Sequence, residues 1–306
     1  MGSEMCIRDR GETIVTLGDR VLGRTLAETI KDPETNDELL NQNTLLDEDA
    51  IVIVLLCKTS CIVRGPVGMS AMSYGALGEN AISSMSYGLG MATGSWVHTG
   101  EGGLAPYHTI GGGDVIMQIG SGIFGVRNKD GSFSWDKFKE KAANPQLRCF
   151  EIKLAQGAKI RGGHVEGSKI NEEIAIIRGV EPWKTVDSPN RHNQFHDLAS
   201  LFDFIDEMRS QGGKPVGIKI VMGGSDSADD LARFMSETGR GPDYITVDGG
   251  EGGSGATYQE MADSMGVPIK SGLIYCDDAL RRFGVRGKVK LFASCLLYTS
   301  PSPRDL

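Results

Sequence analysis

A chain of 306 residues, 40% hydrophobic and 24% charged, is long enough for one large domain and can bury a full core, as soluble globular proteins do. Its formal net charge of −8 excludes the basic footprint of a nucleic-acid binder, and its longest apolar run, residues 50–57, is far too short to cross a membrane. Six cysteines without paired spacing suit a reducing, cytoplasmic setting rather than a disulfide framework, and the 42 glycines, nearly twice the usual ~7% share, cluster as tight loops around a ligand would.

In chain order, residues 5–10 and 295–305 resemble translated sequencing-adapter read-through, so 1–10 and 295–306 are expected to be non-native, with the gene continuing past Ser294. Residues 11–65 carry mixed charge and weak periodicity, an extension of unclear fold. From Pro66 the pattern changes. Strands are expected at 67–73, 95–98, 149–154, 216–221, 244–248 and 289–294, with helices at 80–89, 197–209 and 227–238. In the second helix Leu198, Leu201, Phe202, Ile205 and Met208 make one face. Strand–helix alternation predicts a parallel sheet. Polar or glycine-rich residues come after almost every strand, which favours a closed barrel over an open doubly wound sheet. The expected fold is therefore α/β, a (βα)8 TIM-type barrel over residues 66–294, truncated after about six βα units.

Two loops place a carboxylate among glycines just after a strand: Thr99-Gly100-Glu101-Gly102-Gly103 and Asp248-Gly249-Gly250-Glu251-Gly252-Gly253. Glycine lets backbone approach a flat or phosphorylated ligand, and the acid can hold an amine or move a proton. Alternation puts Glu151, Lys153 and Ala155 on one side of their strand. A lysine inside a barrel needs an anion, so Lys153, and Lys219 in the middle of an otherwise apolar strand, predict a site for carboxylate or phosphate. Gly120-Ser121-Gly122-Ile123-Phe124-Gly125, after an apolar run at 115–119, has dinucleotide-fingerprint spacing. The residues after it, however, read as a hairpin turning at Asp130-Gly131, not as a helix start. His192 and His196 are spaced to share a helical face; lacking a third ligand, they read as the start of a surface helix, and no metal site is expected. Cys-x-x-Cys pairs and a Gly-x-Ser-x-Gly elbow are both absent.

From about Arg64 to Ser294 the sequence resembles the FMN-binding synthase domain of glutamate synthase. The resemblance is carried by Ala71-Met72-Ser73-Tyr74-Gly75-Ala76-Leu77, His98-Thr99-Gly100-Glu101-Gly102-Gly103, Ile152-Lys153-Leu154-Ala155-Gln156-Gly157-Ala158-Lys159, Asp187-Ser188-Pro189, Pro215-Val216-Gly217-Ile218-Lys219 and the glycine loop that begins at Asp248. It implies that FMN lies across the strand ends, with Met72, Ser73 and Gly75 against the flavin ring, Lys219 at its pyrimidine side, and Gly252 and Gly253 also in contact. It implies that Lys153, Gln156 and Arg178 hold 2-oxoglutarate, with Glu101 and Lys159 as catalytic residues. The implied reaction is reductive amination of 2-oxoglutarate, through 2-iminoglutarate, to L-glutamate. Ammonia would be free or glutamine-derived, and electrons would come from a donor protein or an NAD(P)H-linked subunit. The family's iron–sulfur cysteines and the last two βα units would lie beyond Ser294. One departure is His164, where larger synthases have glutamine after the Gly-Gly. Two alternatives stay open: an FMN-dependent dehydrogenase of another amino or hydroxy acid, and a non-catalytic barrel subunit.

Overall fold

In the computed structural model the described residues are 67–92, 94–157, 163–252 and 266–294, together with the backbone of four short strands between residues 7 and 40. The chain divides into two compact units, Met1–Arg64 and Gly65–Leu306. In the first, β1 (Ile7–Asp9) pairs antiparallel with β2 (Glu12–Val15), and β3 (Ile30–Lys31) with β4 (Glu38–Leu40).

The second unit runs α1 (Glu79–Met91), β5 (Trp96–His98), α2 (Pro106–Thr109), β6 (Asp114–Ile119), α3 (Trp135–Ala142), β7 (Leu147–Lys153), β8 (His164–Val165), α4 (Glu172–Arg178), β9 (Val186–Asp187), α5 (Leu198–Gly212), β10 (Val216–Val221), α6 (Asp226–Thr238), β11 (Tyr244–Asp248), α7 (Ile269–Arg282) and β12 (Lys290–Ser294). Six of these strands form one parallel sheet in the order β5-β6-β7-β10-β11-β12, while β8 and β9 make a small antiparallel excursion. Chain order and sheet order coincide, as in a barrel that winds in one direction.

Helix boundaries reflect local chemistry. Asp197 accepts from the Ser200 N–H to start α5, and Gly213, at φ 60°, ends it in the left-handed conformation. The expected apolar face is buried at Leu201, Phe202, Ile205 and Met208, which contributes roughly 1.5–3 kcal/mol for each side chain. Asn171 caps α4, and Gly179, at φ 71°, terminates it.

Alternation divides each strand between two faces. Val97, Val115, Met117, Phe150, Ile152, Val216, Ile218, Ile245 and Val247 belong to the main buried core, together with residues of the helices. The other face is apolar only at its lower end, where Ile116, Cys149 and Tyr244 are buried with Trp96 and Phe292 packed on them. Trp96 and Phe292 sit on the two edge strands, yet their ring centroids are 5.4 Å apart. In a flat six-stranded sheet the edges would be about 24 Å apart at ~4.8 Å per strand. The sheet is therefore curled into an arc of a (βα) barrel, with these rings inside it.

One strand expectation shifts in detail. Residues 67–73 form no strand, although the Met69 N–H donates to the Trp96 carbonyl at 3.0 Å and the Ser70 and Ser294 hydroxyls lie 2.9 Å apart. One backbone rung and a side-chain contact hold the segment without a ladder. Its place among the six is taken by β6, which shows in the sequence only as the apolar run at 115–119. The turn at Asp130-Gly131 is present: the Asn128 N–H donates to the Ser132 carbonyl at 2.8 Å and Arg127 bridges to Phe133.

Candidate functional site

Above the apolar floor, five adjacent strands each turn one polar residue inward: His98 from β5, Gln118 from β6, Glu151 from β7, Lys219 from β10 and Thr246 from β11. All five are buried. Glu151, 1% exposed, is the hub. It accepts from His98 Nε2 at 3.1 Å, Gln118 Nε2 at 2.6 Å and Thr246 Oγ1 at 2.5 Å. Burial alone would raise its pKa, but His98, the nearby Lys219 charge and the Thr246 hydroxyl reverse that and bring it down to about 2. The Gly100 N–H donates to His98 Nδ1 at 3.2 Å, so the proton of a neutral ring sits on Nε2, facing Glu151. That contact ties the polar layer to the loop carrying Glu101.

At the strand ends Lys153 Nζ lies 2.6 Å from Glu101 Oε1 and 2.8 Å from Gln156 Oε1. Lys219 Nζ stands 3.4 Å from Asp248 Oδ2, which also accepts from the Gly157 N–H at 2.9 Å. The Lys219 contact is long for a charge-assisted bond, which runs nearer ~2.8 Å. Arg178 ends α4; it is buried, donates from Nη2 to the Tyr74 carbonyl at 3.1 Å and lies over the Phe124 ring at 5.2 Å. Its Nε is buried without a hydrogen-bond partner among the described residues. Burial pushes its pKa down, against the pull of the Glu101 charge.

The loop carrying Met72, Ser73 and Gly75 is fixed from several sides. His108 Nε2 reaches the Met72 carbonyl at 3.4 Å while its Nδ1 accepts from the Ala105 N–H, and burial lowers the pKa of this ring to about 4. The Gly102 N–H donates to Ser73 Oγ at 3.1 Å. Tyr74 and Tyr107 both donate to Glu173, at 2.6 and 2.8 Å, which locks α4 and hence Arg178 to this loop. Burial and the Glu173 bond raise the Tyr74 pKa. Gly75 adopts φ 97°, and a Cβ there would meet Arg178 Nη2 at 3.0 Å.

Of the residues expected at the site, Lys153 touches both Glu101 and Gln156. Ser73, Gly75 and Arg178 adjoin them through Gly102, whose added Cβ would lie 2.9 Å from Ser73 Cβ and 3.2 Å from Arg178 Nη2. Met72 precedes Ser73 in the same loop. Lys219 stands with Asp248, and the Gly252 N–H donates to the Gly249 carbonyl at 3.0 Å. Lys159 and Gly253 lie outside the described residues.

Other expectations change. Glu251 accepts from the Ile269 N–H at 3.1 Å through both oxygens, so this acid of the second glycine loop stands at the start of α7. His192 and His196 do not share a helical face, because α5 begins only at Leu198. His196 is exposed just ahead of it, whereas His192 is buried, bonds the Lys153 carbonyl at 2.9 Å and stacks on Phe195. His164 is exposed between Asp187 and Glu166, at 2.6 and 2.9 Å. Among the described residues no group of His, Cys, Asp and Glu is placed to hold a metal ion, and no helix is long and apolar enough to cross a membrane. Sequence reasoning missed the roles of His98, Gln118, Thr246, Asp248 and His108. The signal for the first three was a lone polar residue at one parity in an apolar strand.

The model of the conserved region in glutamate synthase matches residues 22–302. The chain belongs to the glutamate synthase family. It is 51% identical over 243 residues, 79% of this chain, to the glutamate synthase large subunit-like protein YerD of Bacillus subtilis (strain 168), and covers 46% of that protein. The archaeal-type glutamate synthase [NADPH] of Thermotoga maritima is 33% identical over 225 residues, 72% of this chain and 41% of its own length. The archaeal glutamate synthase [NADPH] of Methanocaldococcus jannaschii is 32% identical over 235 residues, 75% and 42% respectively. The chain thus spans less than half the length of these relatives. In this chain the parallel strand ends carry the acid–lysine cluster.

Proposed function

We propose that this domain carries the synthase chemistry, FMN-dependent reductive amination of 2-oxoglutarate to L-glutamate, and that residues 66–294 are its flavin barrel. The observation that carries the reading is that Glu101, which engages Lys153, also lies within the electrostatic reach of a buried Arg178 whose Nε has no hydrogen-bond partner among the described residues. A dicarboxylate needs two such cations, and a guanidinium fork suits one end of it.

The residues also fit a flavin. Lys219 is a buried cation whose pairing with Asp248 is loose, and Gly100 and Gly102 let the Met72–Tyr74 backbone pack directly on the loop after β5. Met72, Ser73, Gly75, Lys219, Gly252 and Gly253 would hold FMN; when bound, it would supply the hydride that reduces the imine carbon. Lys153 and Arg178 hold the two carboxylates of 2-oxoglutarate, and Gln156 orients Lys153. Ammonia condenses with the 2-oxo group, releasing water and leaving an imine. Glu101 orients the incoming nitrogen and balances the positive charge of the protonated imine, with Lys159 as the second catalytic group. The Glu151 layer holds these groups rigidly from beneath, which is how positioning lowers a barrier. The family names point to reducing equivalents from an NADPH-linked partner or another donor protein, and ammonia arrives free or from glutamine.

The test is spectroscopic. Purified protein supplied with FMN is expected to show a flavin band near ~450 nm that bleaches on reduction and returns on adding 2-oxoglutarate plus ammonia, but with neither alone. A folded protein that binds no FMN would refute the flavin role. Reoxidation by a different oxo acid in preference to 2-oxoglutarate would move the reading to another FMN-dependent dehydrogenase.

A further inference from the structure

We propose that Glu101 holds the seat on Lys153 that a substrate carboxylate takes, and that binding exchanges one for the other. This deepens the reading above and rests on it. A carboxylate oxygen 2.6 Å from a lysine ammonium has the chemistry and the length that a substrate carboxylate would have in its place.

Charge makes the exchange necessary. Among the described residues gathered at this end of the barrel, the cations Lys153, Lys219 and Arg178 are outnumbered by the carboxylates Glu101, Glu151, Glu173, Asp248 and Glu251. A dicarboxylate adds two negative charges to a site with no excess of cations, which is costly unless an internal acid withdraws. Glu151 is 1% exposed and held by His98, Gln118 and Thr246; Asp248 is 3% exposed and held by Lys219 and the Gly157 N–H. The Glu101 side chain, by contrast, is 20% exposed and that of Lys153 11%. Glu101 also sits between glycines: Gly100 at φ 61°, Gly102, and Gly103 at φ 90°. Of Glu101, Glu151 and Asp248 it is the most exposed and the one bound to Lys153, and so the acid that an arriving carboxylate meets. Once displaced, its carboxylate is available to the nitrogen that becomes positively charged in the imine, so 2-oxoglutarate binds before ammonia.

The test is calorimetric titration of 2-oxoglutarate into the FMN-loaded full chain and its variants, without ammonia or reductant. If Glu101 competes for Lys153, Glu101→Gln and Glu101→Ala bind 2-oxoglutarate about tenfold more tightly than the wild type, within the usual range of coupling between sites. Lys153→Met weakens binding in both backgrounds. Equal or weaker binding by both Glu101 variants, with wild-type binding and its dependence on Lys153 intact, would overturn the exchange and leave the proposed function standing. Absence of 2-oxoglutarate binding by wild type and variants alike would overturn both. A second measurement needs no variant: saturating 2-oxoglutarate is expected to lower hydrogen-exchange protection across residues 99–103 of the wild-type protein. Unchanged or higher protection with ligand bound refutes the exchange.

Discussion

Replacing Glu151 by leucine tests whether the interior polar layer is held together by one carboxylate. The side chain is of similar volume, so little cavity is made, but the His98, Gln118 and Thr246 groups that now donate at 3.1, 2.6 and 2.5 Å lose their acceptor. Lys219 also loses a compensating charge. Each buried polar group left unpaired costs about 1–3 kcal/mol, and breaking a buried charged network costs about 3–5 kcal/mol. The Thr246 hydroxyl can turn toward another acceptor, so about 4 kcal/mol is expected, equivalent to a fall in Tm on the order of 10 °C. Glu151→Gln, which keeps an acceptor and loses only the charge, should cost about 1–2 kcal/mol. The carboxyl is held at about 2, below its ordinary 4.5. The folded state therefore binds fewer protons than the unfolded state between those values, and the stabilisation, complete above about 4.5, fades as pH falls toward 2. Urea unfolding of wild type and Glu151→Leu from pH 7 to pH 3 should show the gap narrowing below about 4.5. A leucine variant within about 0.5 kcal/mol of wild type at pH 7, or a gap that widens in acid, would refute the account.

His108 is buried neutral with its pKa lowered to about 4 from 6.5, so the unfolded chain binds the extra proton and stability falls as pH drops from about 6.5 toward 4. By that difference the loss is at most about 3 kcal/mol, and His108→Gln should flatten that part of a pH–stability curve measured by denaturant unfolding. Gly100→Ala, at φ 61° with an added Cβ 2.6 Å from the Ser73 nitrogen, should cost at least about 2 kcal/mol in unfolding free energy. Gly213→Ala, at φ 60° with open space around it, should cost only about 1 kcal/mol in the same assay.

The sequence by itself determined five of the six sheet strands and three of the helices, because period-two and helical apolar patterns are local: Val216–Val221 and Tyr244–Asp248 were legible to the residue, whereas the strand expected at 67–73 did not form and β6 took its place. It also marked Glu101, Lys153 and Lys219, since a charge in a glycine turn or an apolar strand demands a partner. It could not decide who those partners were. Glu151 reaches His98, Gln118 and Thr246 across 53, 33 and 95 residues of chain, and such contacts depend on the curl of the sheet and its register, which no local pattern encodes. The same holds for Glu251, identical in local sequence character to Glu101 yet placed at the start of α7, and for His192, whose helical spacing to His196 meant nothing once α5 began at Leu198. Residue pattern selects which face a side chain takes; only the curl of the sheet decides what it meets there.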